Sequence, residues 1–318
     1  MIDDPRFARL RGRRVCVTGG AGFIGSHLVD ALHRVGASVA IIDDFSNGRD
    51  ENIAHHGDRL DVVRGSILEP AALREAFRDA EIIFHHAALT SVPRSVEQPA
   101  LSHEVNAVGT QRVLEAAREA GVSRVIYAAS SSAYGERTEP VKVETMPPHP
   151  MSPYAAAKCA GELLLQSYAR CYGLSGVSLR YFNIFGPRQR ADSPYAAVIP
   201  RFIEAFREGR RPTVFGDGSQ TRDFTHVANA VHGNLLAAAS ERVFCGEVVN
   251  IACGFSTSLG ALVEKIAGLL NVSPAVDTAP FRVGEVLHSR ANIGRARDLL
   301  GYAVVVPFDE GLRDVVSA

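Results

Sequence analysis

Tyr154 and Lys158 stand four residues apart in the run Ser152-Pro153-Tyr154-Ala155-Ala156-Ala157-Lys158. Positions i and i+4 lie on one face of a helix, so the phenol and the ammonium can share a site. That pairing permits general-base chemistry. A free phenol, with a pKa of about 10, is mostly protonated at neutral pH, and a nearby cation stabilises its phenolate. Only three of the chain's 34 basic residues are lysines, namely Lys142, Lys158 and Lys265. A chain that otherwise uses arginine places here a compact ammonium, whose shape and charge distribution the planar guanidinium does not reproduce. The plain alternative is a helical tyrosine beside a solvated lysine, and the pair alone does not separate the two.

A second constellation is Thr18-Gly19-Gly20-Ala21-Gly22-Phe23-Ile24-Gly25, directly after an apolar strand and at the start of a helix. Glycines there allow a tight turn and close backbone approach to a pyrophosphate, and the helix N-terminus offers N–H groups to the phosphates. Asp43 follows Gly25 by 18 residues, at the end of the next strand. A carboxylate in that place accepts hydrogen bonds from both hydroxyls of an adenine ribose and repels a 2′-phosphate, so the set predicts NAD in preference to NADP. Arg49 is the residue that would favour the phosphorylated cofactor. Ser130-Ser131-Ser132 follow an apolar strand at the sheet edge where doubly wound folds bind ligands. Taken alone, three serines in a loop make an ordinary polar turn.

These groups need a sheet to hold them. Apolar runs at 14–18, 38–42, 61–64, 82–85, 125–128 and 176–179 alternate with amphipathic stretches at 23–35, 70–77, 101–120 and 153–172. Strand, helix, strand repeated in this way predicts an α/β fold with a doubly wound parallel (Rossmann) sheet. Beyond residue 181 the pattern gives way to loops rich in Pro, Gly and Arg, with helices near 198–208, 227–240 and 258–270. A strand near 247–251 is expected to return to the sheet. The division is therefore an NAD-binding Rossmann domain over 1–180 and a smaller, interleaved C-terminal substrate lobe over 181–318.

Composition narrows the class. At 318 residues the chain can bury a substantial core, and its 46% hydrophobic and 22% charged residues are ordinary for a globular protein. A net charge of −1 exerts no global pull on nucleic acid or anionic membrane. The five cysteines (Cys16, Cys159, Cys171, Cys245, Cys253) show no metal-ligand spacing and are expected to be buried thiols in a reducing cytoplasm. No metal site is expected. The charged N-terminus and the lack of a long apolar run predict a cytoplasmic protein with no membrane partner.

Together these motifs resemble the extended short-chain dehydrogenase/reductase family, and within it the UDP-sugar 4-epimerases. The resemblance covers nearly the whole chain: TGGAGFIGSHL, DDFSNG, HHAALTSVPRSVEQP, ASSSAYGE, SPYAAAK, RYFNIFGPRQ, AAVIPRF, GDGSQTRDFTHV and RVGEVLHS. It implies Ser130, Tyr154 and Lys158 as the catalytic set, with Tyr154 the general base and Lys158 its pKa depressor and ribose contact. It implies NAD held by Gly19, Gly22, Phe23, Ile24, Gly25, Asp43, Asn47, Ala87 and Asn106, together with Tyr154 and Lys158. It places Ser131, Ser132, Asn183, Arg190, Arg222, Arg282 and Ser289 on the substrate, the arginines at 222 and 282 gripping the diphosphate and uridine. The implied reaction transfers hydride from the sugar C4 to NAD, lets the 4-keto sugar turn over, and returns the hydride to its other face. A homodimer built on the helices near 101–120 and 153–172 is also implied.

Departures from the family pattern bear on the substrate. Ser131 and Ser132 stand where dehydratases carry Asp-Glu and decarboxylases a Glu, so dehydration and decarboxylation lose support. A small residue at Ser289 leaves room for a 2-acetamido group. Arg190, where similar epimerases carry an acid, can read a C6 carboxylate by paired hydrogen bonds. UDP-glucuronate therefore stands first, with UDP-N-acetylglucosamine and UDP-glucose as alternatives. UDP-glucuronate decarboxylation and a non-catalytic NAD-binding scaffold are further alternatives. Ser66 replaces an adenine-contacting Asp, Asn229 and Asn292 replace common acids, and His85 and His86 read as strand-end histidines.

Overall fold

The computed structural model describes residues 4–190, 197–281 and 286–317. Six strands are laid down in order: β1 (Arg14–Thr18), β2 (Ser38–Asp43), β3 (Leu60–Arg64), β4 (Ile82–His85), β5 (Arg124–Ser130) and β6 (Ser175–Tyr181). With the later strand Cys245–Ile251 they form one seven-stranded sheet, ordered Cys245–Ile251, β6, β5, β4, β1, β2, β3. Every pairing in it is parallel. The central strands are apolar and buried on both faces, as β1 (RVCVT) and β4 (IIFH) illustrate, because helices cover the sheet on each side. The chain order reverses between β1 and β4, and ligands of such sheets bind in the crevice beyond the strand ends at that point.

Local signals explain the elements that matter most. Helix α1 (Phe23–Arg34) opens at Gly22 with no capping side chain. The helix Pro153–Tyr172 starts with proline in its first turn, the Ser152 hydroxyl accepts the Ala155 N–H at 3.2 Å, and Gly173 closes it in the left-handed region at φ 72°. Gly161 lets this helix lie directly on β5: a Cβ there would sit 2.3 Å from the Tyr127 hydroxyl.

Three differences from the sequence expectations have physical causes. The single helix expected over 101–120 is interrupted: Pro99–His103 leads into a π-helical turn, Glu104–Val108, before Gly109–Glu119 resumes. That turn sets Asn106 against the chain at Leu89, with the Leu89 N–H donating to Asn106 Oδ1 at 2.9 Å and Asn106 Nδ2 donating to the Leu89 carbonyl at 3.0 Å. Strand β5 runs on through Ser130, so this serine is a strand residue and not a loop one. Cys171 and Cys245 are exposed, against the expectation of buried thiols; the first lies at the end of the Pro153–Tyr172 helix and the second opens the last sheet strand.

Candidate active site

The ends of β1, β2, β4, β5 and β6 open into one cleft of about 1410 Å³, closed on its other side by residues that include Asn183, Arg190, Arg222 and Ser289. A single small ligand occupies a pocket of about 300–1,000 Å³. This cleft has room for two.

One half fits a dinucleotide. Gly19 takes φ 70°, and a Cβ on it would lie 2.8 Å from the Ala87 nitrogen; a Cβ on Gly25 would lie 2.1 Å from the Gly19 carbonyl. Only glycine permits this packing of turn, helix and β4 loop. The uncapped start of α1 leaves the N–H groups of Phe23, Ile24 and Gly25 without intrahelical partners, and all three residues line the cleft. Asp43 is buried. Its Oδ2 accepts the Ala21 N–H and its Oδ1 the Phe45 N–H, each at 2.9 Å, so each oxygen keeps a lone pair for a ribose hydroxyl. Burial raises the Asp43 carboxyl above its ordinary range, and the two backbone N–H groups oppose that shift. Asn47, Ala87 and Ser66 also line this half. Asn106 is not among the lining residues: both ends of its amide are engaged by Leu89, so it braces the loop after β4.

Ser130, Tyr154 and Lys158 meet where this half adjoins the other. The Ser130 hydroxyl oxygen accepts the Ser132 hydroxyl at 2.8 Å and the Ser132 N–H at 3.2 Å. With both lone pairs engaged, its own proton is left to donate, and it is the side chain that favours the Tyr154 phenolate. Burial pushes the Tyr154 phenol up and the Ser130 hydrogen bond draws it back. The four-residue spacing predicts an ammonium aimed at the phenol. In the structure Lys158 Nζ donates to the Ala128 carbonyl at 2.8 Å and lies 4.8 Å from the centre of the Tyr127 ring. Burial lowers its pKa to about 7, against a smaller upward pull from Glu162. The two groups are thus shifted in opposite directions by desolvation, which disfavours either charge.

On the substrate half, Ser131, Ser132, Asn183, Arg190, Arg222 and Ser289 all line the cleft. Ser132 also orients Ser130, a role the sequence did not suggest. Arg222 Nη1 donates to the carbonyls of Thr221 at 2.9 Å and Leu287 at 3.1 Å, tying the two segments that bound this half. Arg282 lies outside the described residues. Asp223 was overlooked: fully buried, it accepts the N–H groups of Cys253, Gly254 and Ala291 at 3.0, 3.0 and 3.1 Å, joining three segments behind Arg222 and Ser289. Lys142 was overlooked as well. It lines the cleft while buried, its Nζ donating to the Glu139 carbonyl at 2.8 Å. The scarcity of lysine was the available signal, since two of the three lysines face this cleft. His85 is buried between the hydroxyls of Thr18 and Thr110, at 2.8 and 2.9 Å, and is held neutral by burial.

A doubly wound sheet, a glycine turn with a buried carboxylate, and a Ser-Tyr-Lys set at the switch point define an enzyme of the nucleotide-dependent short-chain type. Residues 15–252 match the model of the NAD dependent epimerase/dehydratase family, and the chain belongs to that family. It is 40% identical over 309 residues to a UDP-glucose 4-epimerase of Mycolicibacterium smegmatis, covering 96% of this chain and 97% of that one. Among solved structures it is similar to a UDP-N-acetylglucosamine 4-epimerase of Methanobrevibacter ruminantium M1 in complex with UDP-N-acetylmuramic acid. That match has a TM-score of 0.92, 39% identity, and coverage of 96% of this chain and 98% of the other. It is also similar to MoeE5 in complex with UDP-glucuronic acid and NAD, at TM-score 0.87 and 34% identity, over 96% of this chain and 98% of that one. Among the described residues, no helix is long and apolar enough to cross a membrane.

Proposed function

We propose that the chain inverts C4 of a UDP-hexose and that the hexose is glucuronate. The observation that supports this reading is the joint presence, on one cleft, of Ser130, Tyr154 and Lys158 with Arg190. When bound, NAD supplies a hydride acceptor, and later donor, at the sugar C4. The protein's own part is proton transfer and grip. Tyr154 takes the proton of the 4-hydroxyl as the C4–H bond breaks and the 4-keto group forms, then returns it when that ketone is reduced on its other face. Ser130, which favours the Tyr154 phenolate, is the hydroxyl proposed to offer its proton to the sugar oxygen. A positive charge brought beside Tyr154 offsets the burial that raises it. Lys158, anchored on Ala128, is placed to hold a ribose hydroxyl.

Inversion requires the sugar to rotate while its nucleotide is fixed. Arg222 and Arg282 are the groups proposed to fix the diphosphate and uridine, with Asn183 on the sugar side. Arg190 supplies a guanidinium to a C6 carboxylate, the feature that separates glucuronate from glucose and N-acetylglucosamine. Decarboxylation finds less support, because Ser132 holds Ser130 where a carboxylic acid would be needed. The same reading includes a cytoplasmic homodimer formed through the helices near 101–120 and 153–172, on the second of which Leu163 is 61% exposed.

A panel of UDP-glucuronate, UDP-N-acetylglucosamine and UDP-glucose, followed for C4 inversion with wild type and Arg190→Ala, tests the assignment. A lost charge-assisted hydrogen bond is worth about 1.5–3 kcal/mol, so turnover of the uronate should fall roughly 10- to 150-fold while the neutral sugars hold. Equal loss on all three, or none, rejects the carboxylate role.

A further inference from the structure

We propose that Asp30, His55 and His56 form a binding site for one divalent transition-metal ion of the zinc, cobalt or nickel class. None of the three residues lines the cleft, and the site does not depend on the epimerase reading. Sequence gave no hint of it, because Asp30 precedes His55 by 25 positions and only the fold joins them.

Among the described residues, these three are the one group of His, Cys, Asp and Glu side chains whose donor atoms all lie within 4.8 Å of one another. The Nε2 atoms of His55 and His56, consecutive residues of the 3₁₀ segment Ala54–Arg59, both reach Asp30 Oδ1 at 2.8 Å. Metal–ligand bonds of about 2.0–2.2 Å in tetrahedral geometry set donors about 3.3–3.5 Å apart. For the two His–Asp contacts, reaching that spacing takes shifts of roughly half an ångström, and the two Nε2 atoms, within 4.8 Å of each other, close to the same spacing by side-chain rotation. Two imidazoles and one carboxylate suit zinc-class ions, and a water completes four-coordination.

The surroundings resemble those of a built site. The His56 side chain is 5% exposed, its ring stacked against His33 with centroids 4.4 Å apart, and its Nδ1 is buried without a partner. The fold thus fixes this ring with Nε2 toward Asp30. Arg188 Nη2 donates to the other carboxylate oxygen, Oδ2, at 2.8 Å, orienting Asp30 and leaving Oδ1 for the ion, as outer partners of metal ligands do. The His55 side chain, 48% exposed, marks the entry path. A bound ion would fasten α1 to the turn that follows the β2 loop, whose residues Asn47, Gly48, Arg49 and Asn52 line the cofactor half of the cleft.

Chelator-treated protein, with its NAD retained, is titrated with CoCl₂ and read by visible absorption. The expected result is a set of d–d bands saturating at one equivalent, bleached by one equivalent of ZnCl₂, with a higher melting temperature in the presence of zinc. His56→Gln and Asp30→Asn should each weaken cobalt binding at least tenfold. If the buried His56 variant does not fold, His55→Gln, at an exposed position, serves in its place. Absence of stoichiometric bands, or an isotherm unchanged by all of these substitutions, overturns the proposal. Because neither readout is turnover, failure here leaves the C4 assignment standing, and failure of that assignment leaves this one.

Discussion

Arg180 donates from Nε and Nη2 to the two carboxylate oxygens of Glu162 at 2.8 and 2.7 Å, and both side chains are almost wholly buried. Glu162 stands one turn beyond Lys158 on the face that carries Tyr154, so the catalytic helix continues its line of chemistry into an ion pair with β6. Arg180 also stacks over the Tyr134 ring at 4.5 Å, and the Tyr134 hydroxyl donates to Asn250 at 2.6 Å on the last sheet strand.

Breaking that pair from one side should be costly. Glu162→Gln leaves a buried guanidinium without its counter-ion, with an expected loss of about 3–5 kcal/mol, whereas the double change Glu162→Leu with Arg180→Met should recover most of it. Urea unfolding of Glu162→Leu, Arg180→Met and the double variant measures the coupling. Simple addition of the single effects contradicts the pair's role.

Tyr154→Phe should lower turnover by about 10²–10⁴ and leave NAD bound, since the phenol oxygen acts on the proton and the ring fills the same space. Kinetics paired with the absorbance of co-purified NAD checks both halves. Turnover within a few-fold of wild type rejects Tyr154 as the base.

Ser132→Ala should lower turnover by about 2- to 10-fold, the worth of a hydrogen bond of about 0.5–1.5 kcal/mol, because Ser130 keeps its proton but loses the hydroxyl that directs it. Ser130→Ala should cost more. A Ser132→Ala loss equal to or above that of Ser130→Ala would make Ser132 the reacting hydroxyl.

The pKa of Lys158 falls from 10.5 in an ordinary setting to about 7 in the fold. Between those values the unfolded chain holds a proton that the folded one has released, so this group makes stability rise with pH from about 7 to 10.5, by up to about 1.4 kcal/mol per pH unit. Below pH 7 both states are protonated and its slope vanishes. Urea midpoints of NAD-free protein at pH 6, 8 and 9.5 should show that rise, and Lys158→Met should flatten it. Parallel profiles for the two proteins would refute the shift.

Much of this architecture was readable before any coordinates. Short continuous apolar runs and a glycine turn mark β1, α1 and β4 to the residue or nearly so, because a parallel strand buried on both faces has few ways to be written. Ser130, Tyr154, Lys158 and Asp43, which the structure places on one cleft, stood out because each sits at a fixed offset from a strand or helix end. What escaped notice depends on long-range partners. Asp223 is a buried carboxylate whose partners Cys253, Gly254 and Ala291 lie far along the chain, and Lys142 is held in place by backbone hydrogen bonds to Arg290 and Asn292. Asn229 is similar: its side chain accepts the N–H groups of Val305 and Val306 and donates to the Val306 carbonyl, a staple that no local pattern announces. Asn106 was picked out by its offset, and its hydrogen bonds to Leu89 could not be read from that offset.

The seventh sheet strand, Cys245–Ile251, bonds to β6 from 64 residues further along the chain, counting from Tyr181 to Cys245. During synthesis β6 therefore emerges from the ribosome with one side of its backbone unsatisfied, and it stays so until that distant segment follows. An open strand edge invites pairing with other chains. A truncated product ending at Tyr181 should aggregate, even though it already holds the glycine turn, Asp43 and the whole Ser-Tyr-Lys set.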